Sequence, residues 1–439
     1  MEATIAAIST PKGRGGIAVI RVSGADAIKI VDKVFEGKKR LSSLPSHTIQ
    51  YGWIRDPETD ELLDEVLVSI FRSPRSYTCE DMVEVSCHGG IAVSEAVLRA
   101  ILSSGARLAK PGEFTKRALL NGRIDLSQAE AVLDLINAQT DRARKVALSL
   151  LRGRLSSKIE RLSQKIKERL AEVEAELQFF EEETIDTNRD LRGIEEEIEE
   201  LIEMGERGRF LREGLKVVIL GRPNVGKSSL FNRIIGEERA IVSEIPATTR
   251  DSIEGVIELD GLPVHLFDTA GWFNPESKLD ALGVEKTREF LNRADLLLLV
   301  FDISSQIEEE DIALLKLTQK RERIIALNKI DLEPKLDKGF FKGKVLEVSA
   351  KYGYGIEDLK REIVERYRVD GESPIVTNLR HLEALKRALK ALKTSAKQPY
   401  LETEAIELKK ALDALGEIIG KTTPEEIINK VFENFCIGK

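Results

Sequence analysis

The stretch LKVVILGRPNVGKSSLFNRII, residues 215–235, decides the fold of its part of the chain. Leu215–Leu220 is an apolar run of strand type. It leads into Gly221-Arg-Pro-Asn-Val-Gly-Lys-Ser228, which matches GxxxxGK[ST], and a helix is expected over Ser229–Ile235. Strand, glycine-rich turn and helix in that order are the context a phosphate-cradling loop requires. The glycines let backbone N–H groups come close to phosphate oxygens. Lys227 is placed to reach the β- and γ-phosphates, and the Ser228 hydroxyl to hold Mg²⁺. The contacts expected from this loop fall on Asn224, Val225, Gly226, Lys227, Ser228 and Ser229.

Downstream, strand-type runs recur at 253–259, 263–267, 296–302, 323–327 and 344–348, with helical spacing between most of them up to about residue 370. This alternation predicts a mainly parallel sheet covered on both faces. Asn328-Lys-Ile-Asp331 follows the apolar Ile324–Leu327. The Asp331 carboxylate can accept both guanine N1–H and the exocyclic amine, which adenine does not offer in that arrangement. Asn328 can bond the base edge, Lys329 can pack over the ring, and Ser349, Ala350 and Lys351 add a third base contact. Order and spacing together point to guanine. Asp268-Thr-Ala-Gly271 ends strand 263–267; Asp268 can anchor the Mg²⁺ shell, and the Gly271 N–H can bond the γ-phosphate. Thr248-Thr-Arg-Asp251 lies where a nucleotide-sensing switch is expected, with Thr249 completing the Mg²⁺ coordination. The residue after Gly271 is Trp272, which cannot orient a water as the Gln of many small GTPases does. Arg222 and Arg250 are candidate arginine fingers. Asn224 either shapes the loop or ligates a monovalent cation that would neutralise transition-state charge.

The chain has 439 residues, enough for two or three domains. Residues 1 to about 120 mix strands (Gly16–Val22, Asp64–Phe71, Met82–His88) with a helix at Ile91–Ser103, an α+β pattern. From about Ser127 to Arg212 proline is absent, and Leu155, Ile159, Leu162, Ile166, Leu170, Val173 and Leu177 mark one long amphipathic helix. A second helix is expected over Leu191–Met204, and Gly214 ends the helical stretch. Residues 378–439 are helical again, with Thr422-Thr-Pro-Glu425 as a helix start. The formal charge of −8 argues against nucleic acid wrapped over the whole surface. Leu296–Phe301, the longest apolar run, is far below the ~20 residues that span a bilayer. The first residues lack the basic start and apolar core of a signal peptide. Cys79, Cys87 and Cys436 form no metal-ligand spacing. A cytoplasmic protein with no membrane partner is expected.

GRGGIAVIRVSG (13–24), SYTCEDMVEVSCHGG (76–90), PGEFTKRALLNGRIDLSQAEAV (111–132) and the terminal FCIGK (435–439), with the nucleotide motifs, resemble the MnmE (TrmE) family of tRNA-modification GTPases over essentially the whole length. The resemblance implies an α+β tetrahydrofolate-binding-like domain (1–119) that dimerises, a helical domain in two parts (120–212 and 373–439), and between them a Ras-like P-loop GTPase domain (213–372). It implies GTP hydrolysis in a complex with the FAD protein MnmG, expected as a heterotetramer, that adds a carboxymethylaminomethyl group to wobble uridine of tRNA. It also implies K⁺-dependent pairing of GTPase domains that switches hydrolysis on. By position, nucleotide contacts extend over Ser243, Glu244, Ile245, Pro246, Ala247, Thr248 and Thr249, and over Asp268, Thr269, Ala270 and Gly271. K⁺ ligands fall on Asn224, Thr248 and the backbone at Ser243 and Ile245. Asp280, with Glu276 as the alternative, would orient the attacking water beside Lys227 and Thr249. A one-carbon folate such as 5-formyltetrahydrofolate would meet Arg21, Glu84, Arg123 and Lys439. The family more often has Lys where Arg123 stands, and Gly where Ala247 stands. Cys436, the family's terminal cysteine, reads from sequence as a small buried hydrophobe rather than a nucleophile. The competing functions are a ribosome-assembly or signalling switch, and a GTP-regulated folate-dependent one-carbon transferase.

Overall fold

Residues 3–179, 191–237, 253–268, 291–368, 376–398 and 400–439 are described by a computed structural model. The chain divides into two units, one of residues 1–133, 150–175 and 408–439, the other of residues 134–149 and 176–407.

The first unit is built on a seven-stranded sheet. Its strands are β1 (Ile5–Ile8), β2 (Ile17–Ser23), β3 (Phe35–Gly37), β4 (Thr48–Arg55), β5 (Leu62–Phe71), β6 (Met82–His88) and β7 (Arg107–Leu108). Their order is β3-β4-β5-β6-β2-β1-β7, antiparallel throughout except where β1 meets β7. Alternation along the strands puts Ile20, Val22, Val66, Val68, Val83 and Val85 into a core shared with Val31 of α1 (Ala27–Asp32) and Val97 and Ile101 of α2 (Ile91–Ser103). Ile49, Tyr51 and Leu67 on β4 and β5 point away from that core and are exposed. Helices α3 (Glu113–Leu120), α4 (Leu126–Asn137) and α6 (Arg154–Phe179) belong mainly to this unit, whereas α5 (Asp141–Leu151), which lies between α4 and α6 in the chain, falls mostly in the second. On α6 the N-terminal part of the expected stripe is inside: Leu155, Ile159, Leu162, Ile166 and Val173 are buried, Leu170 is half-buried, and Leu177 near the helix end is exposed.

In the second unit α7 (Arg192–Glu213) runs well past Met204, where the sequence pattern places its end. Gly205 counts against a helix by propensity. Here it is kept because α7 packs closely: a Cβ on Gly205 would stand 2.8 Å from Val376 Cγ1. The strands β8 (Leu215–Leu220), β9 (Ile253–Leu259), β10 (Leu262–Asp268), β11 (Leu296–Asp302), β12 (Arg323–Asn328) and β13 (Val345–Glu347) alternate with α8 (Lys227–Glu237), α9 (Glu309–Leu317) and α10 (Ile356–Tyr367). The sheet order is β13-β12-β11-β8-β10-β9, parallel except for the edge strand β9. The continuous apolar runs of β8 and β11 are buried because both their faces are covered. From β8 the chain goes on to β9 and β10 on one side and then crosses to β11 on the other. That reversal opens the crevice at the carboxyl ends of the strands where ligands bind in such sheets.

Helix α11 (Leu379–Ser395) packs on α7, with Lys386 paired to Glu206 and Lys393 to Glu199. Helices α12 (Leu401–Ile419) and α13 (Glu425–Glu433) lead to the terminal residues. Those residues lie along the first unit's sheet and the start of α3. The Ser9 hydroxyl donates to Gly438 O at 3.0 Å, Phe114 N to Lys439 O at 3.2 Å, and Gly112 N to Cys436 O at 3.4 Å.

Candidate functional site

The carboxyl ends of β8, β10, β11 and β12 present Gly221, Asp268, Asp302 and Asn328 along one edge of the sheet. After Gly221 the chain turns tightly, with Asn224 at φ 63° and Gly226 at φ 98°. A side chain at Gly226 would collide with the Asn328 amide, so glycine is needed both for conformation and for approach. Helix α8 starts at Lys227, two residues before the sequence pattern puts it, so the Lys227 and Ser228 N–H groups belong to its first turn. The unsatisfied donors and positive dipole end of a helix N-terminus suit an anion.

Lys227 is buried, and its Nζ donates to Gly221 O at 2.9 Å and Arg222 O at 2.8 Å. An ammonium has three donors, so one remains for a phosphate oxygen. Burial pulls the Lys227 ammonium below the ordinary lysine range, and the Asp268 carboxylate works against that shift. Asp268 closes β10 and is buried. Ser228 and Ser229 are exposed on the first turn of α8.

Asn328 ties the 221–228 turn to the segment after β13. Its Nδ2 donates to Val225 O at 2.9 Å, and its Oδ1 accepts from Ala350 N at 2.9 Å. The residue is 2% exposed. Both ends of its amide therefore brace the backbone, a role that the sequence, with only the base edge in view, does not disclose. The Asp331 carboxylate accepts the Ser349 hydroxyl at 2.6 Å through Oδ1, and Oδ2 is the oxygen outside this bond. Lys329, at φ 67°, pairs with Asp302 at 2.6 Å. Burial would raise the Asp302 carboxyl, but the hydrogen bonds from Lys329 and Ser304 outweigh it and hold the group below the usual carboxylate range. Lys351 is exposed, with Nζ 4.9 Å from the centroid of the Tyr352 ring.

Arg222, one of the two arginine-finger candidates, makes its contacts at the start of α9. Its guanidinium pairs with Glu308, lies with Nε 2.8 Å from Asp311 Oδ2 in an ion pair, and donates from Nη2 to Ser305 Oγ at 3.2 Å. Both acids form the capping box of α9, so the arginine is committed to that turn and not to the phosphates. Asp302, Glu308 and Asp311 carry no motif, and nothing in the sequence singles them out. Asn224 stands exposed at the crest of the loop. Ser243, Glu244, Ile245, Pro246, Ala247, Thr248, Thr249, Arg250, Thr269, Ala270, Gly271, Trp272, Glu276 and Asp280 lie outside the described residues.

A second cluster forms in the first unit. Arg21 on β2 pairs with Glu84 on β6, its cross-strand neighbour, at 2.8 Å, and its Nη1 approaches Gly438 O at 3.4 Å. The Arg21 guanidinium carbon lies 5.1 Å from the centroid of the Tyr77 ring, and that of Arg123 lies 4.8 Å from the same centroid. Arg123 Nη1 donates to Tyr77 O at 2.8 Å. Burial and then the Arg21 charge lower the Lys439 ammonium, and Glu84 opposes them. Arg21 and Arg123 thus face the Tyr77 ring, which lies within the 76–90 motif, while Glu84 pairs with Arg21 and Lys439 feels the charges of both. Cys436 is exposed, contrary to the buried hydrophobe expected, because the tail is held by backbone bonds on either side of its side chain. Among the described residues no group of three or more His, Cys, Asp or Glu could hold a metal ion. No helix among them is long and apolar enough to cross a membrane.

Two family profiles match this sequence. The MnmE helical domain matches residues 126–436, and the GTP-binding protein TrmE N-terminus matches residues 4–123. A protein of Carboxydothermus hydrogenoformans named tRNA modification GTPase MnmE is 47% identical, covering 100% of both chains. The protein of the same name from Bacillus subtilis is 45% identical, covering 99% of this chain and 100% of its own. That from Alkaliphilus oremlandii is 42% identical over 100% of both.

Proposed function

The chain belongs to the MnmE (TrmE) family of tRNA modification GTPases, and on that footing we propose that it hydrolyses GTP at the Gly221–Ser228 loop in the service of tRNA modification. The observation that carries this reading is the single amide of Asn328, which joins Val225 of the phosphate loop to Ala350 of the base-reading loop. A site that must sense base and phosphate together needs such a joint.

In this reading the N-terminus of α8 cradles the phosphates, and the remaining Lys227 donor meets the β- and γ-oxygens. The Asp331 carboxylate, its Oδ1 held by Ser349, accepts guanine N1–H and the exocyclic amine. The Lys329 stem covers the ring while Asp302 holds its ammonium. A carboxylate and a hydroxyl are the hard oxygen donors Mg²⁺ prefers, so Asp268 and Ser228, with Thr249, fit that ion. When bound, it neutralises charge on the β- and γ-phosphates. Arg222 being committed elsewhere supports a different cation at the loop crest: K⁺ held by Asn224, Thr248 and the backbone at Ser243 and Ile245. Asp280 or Glu276 orients the water.

Arg21 and Arg123 over one aromatic ring, with Glu84 paired to Arg21 and Lys439 within range of both charges, support a one-carbon folate there, since cations suit its carboxylates and the Glu84 carboxylate can take donors from its pterin. The exposed Ile49, Tyr51 and Leu67 on one sheet face support pairing with a second copy of the chain. We place the folate and dimerisation domain at 1–119, the GTPase domain at 213–372 and the helical domain at 120–212 and 373–439. An MnmG-type FAD protein and tRNA complete the complex, in the cytoplasm.

The test is wobble-uridine analysis of tRNA from a strain lacking this protein, complemented with the wild type or with Lys227→Ala. Restored modification with the wild type and none with the variant is expected. Full modification in the deletion strain refutes the function; full rescue by Lys227→Ala refutes the role of the loop.

A further inference from the structure

Helix α8 carries more than the phosphate loop. Six residues beyond Lys227, and therefore about 9 Å along the helix axis, Arg233 projects towards the third base-reading segment. Its Nε donates to Ala350 O at 3.0 Å, and its Nη2 to Lys351 O at 2.6 Å. A guanidinium presents donors in a fixed planar fork, so two successive carbonyls can be held in one geometry, which a lysine ammonium cannot do. The N–H of the same Ala350 is held by Asn328, which in turn holds Val225. Val225, Asn328, Ala350 and Arg233 thus close a ring through α8, with the phosphate-holding Lys227 on one arc and the guanine loop on the other. Ser349, one residue before the clamped carbonyls, orients the Asp331 carboxylate at 2.6 Å. Displacing the loop therefore moves the group that reads the purine.

We propose that Arg233 is a positioning residue for guanine recognition: without touching the nucleotide, it fixes the Ser349–Lys351 loop to the helix that holds the phosphates and so sets the angle of Asp331. This rests on the reading of 221–228 and 328–331 as a guanine-nucleotide site. Its consequence is specific. A loop that drifts should weaken the bond to the exocyclic amine of guanine more than it weakens the grip on the diphosphate.

The experiment measures the affinity of the full-length protein for GDP and for IDP, which lacks that amine, in wild type, Arg233→Lys and Arg233→Gln, with thermal unfolding as a check on folding. Losing two hydrogen bonds from a charged donor should cost Arg233→Gln about tenfold in GDP affinity. IDP affinity should change less than about twofold, which shrinks the GDP-to-IDP ratio nearly as much. Arg233→Lys, keeping one bond and the charge, should fall between. If Arg233→Gln does not fold, Arg233→Lys decides alone: a reduced ratio supports the proposal and an unchanged ratio overturns it. Equal losses for both nucleotides, or no loss, also overturn it, because a purely structural arginine would give one of those results. A wild type that binds GDP and IDP alike would instead sink the guanine reading, an outcome readable before any variant is made.

Discussion

Replacing Asn328 by alanine tests the joint on which the nucleotide site is built. The side chain is 2% exposed, and its two partners sit in Val225 and Ala350, exposed 2% and 6%. The variant strands the Ala350 N–H outright and takes one donor from Val225 O. A stranded buried group costs about 1–3 kcal/mol, and a carbonyl that loses one of its donors less than an N–H that loses its only acceptor. Together these amount to roughly 2–4 kcal/mol. The brace exists without nucleotide, so the loss appears first in stability, as a fall of roughly 5–10 °C in the melting temperature of a unit this size. It appears again in affinity, because nucleotide must now order two loops that move independently; about a tenfold rise in the GDP dissociation constant corresponds to 1.4 kcal/mol. Asn328→Asp is the harsher change. It keeps an acceptor for Ala350 N–H but sets a buried carboxylate against the Val225 carbonyl, so its melting temperature should fall at least as far as that of the alanine variant. Calorimetry and titration with a fluorescent GDP analogue read both quantities. An Asn328→Ala protein that melts within about 1 °C of wild type and binds GDP within about twofold would refute the idea that this amide couples the loops.

The remaining predictions use single groups. Glu113 sits between Arg107 and Arg117; burial would raise its carboxyl, but the Arg107, Lys110 and Arg117 hydrogen bonds override burial and hold it at about 2. A depressed carboxyl stabilises the fold above its unfolded value near 4.3 and loses that contribution as pH falls towards 2, so acid unfolding of wild type should be shifted to higher pH by Glu113→Gln, with at most about 3 kcal/mol at stake at neutral pH. Arg222→Gln leaves Asp311, 1% exposed, without its cation; a loss of roughly 3–5 kcal/mol in urea unfolding is expected. In the same variant, the K⁺-stimulated GTPase rate should stay within about tenfold of wild type, whereas a fall of about 10³-fold or more in the folded protein would restore the arginine as a source of catalytic charge. Iodoacetamide at neutral pH followed by mass spectrometry should label the exposed Cys436 and spare Cys87, whose thiol burial pushes up to about 11; labelling of Cys87 in the folded protein would contradict its placement on β6 beneath α2.

The second unit's sheet is legible in the sequence because both of its signals are local. Apolar runs such as Leu215–Leu220 and Leu296–Phe301 mark buried parallel strands, and the GxxxxGKS turn fixes the loop and helix after the first of them. The end of helix α7 is not legible, because Gly205 reads as a stop by propensity, whereas its value lies in the closeness of Val376, far off in sequence. The same distance hides the site's supports. Arg222 finds Glu308 and Asp311 more than eighty residues on, and Lys329 finds Asp302 twenty-seven residues back. None of these partners is distinguishable in sequence from a solvated charge. Cys436 departs from expectation for a related reason: residue type suggests burial, but the tail is pinned through its backbone and its side chain is left outside. Motif positions suggest which atoms are offered to a nucleotide, and their partners, chosen by the packing of distant segments, decide how firmly those atoms are held. The Asn328 amide shows the difference within one residue. Its presence in Asn328-Lys-Ile-Asp331 is readable, but its work of tying Val225 to Ala350 appears only when β8, β12 and β13 are set in one sheet with their strand ends aligned. If Arg233 acts as proposed, a site that retains every motif residue loses guanine discrimination when that support is changed.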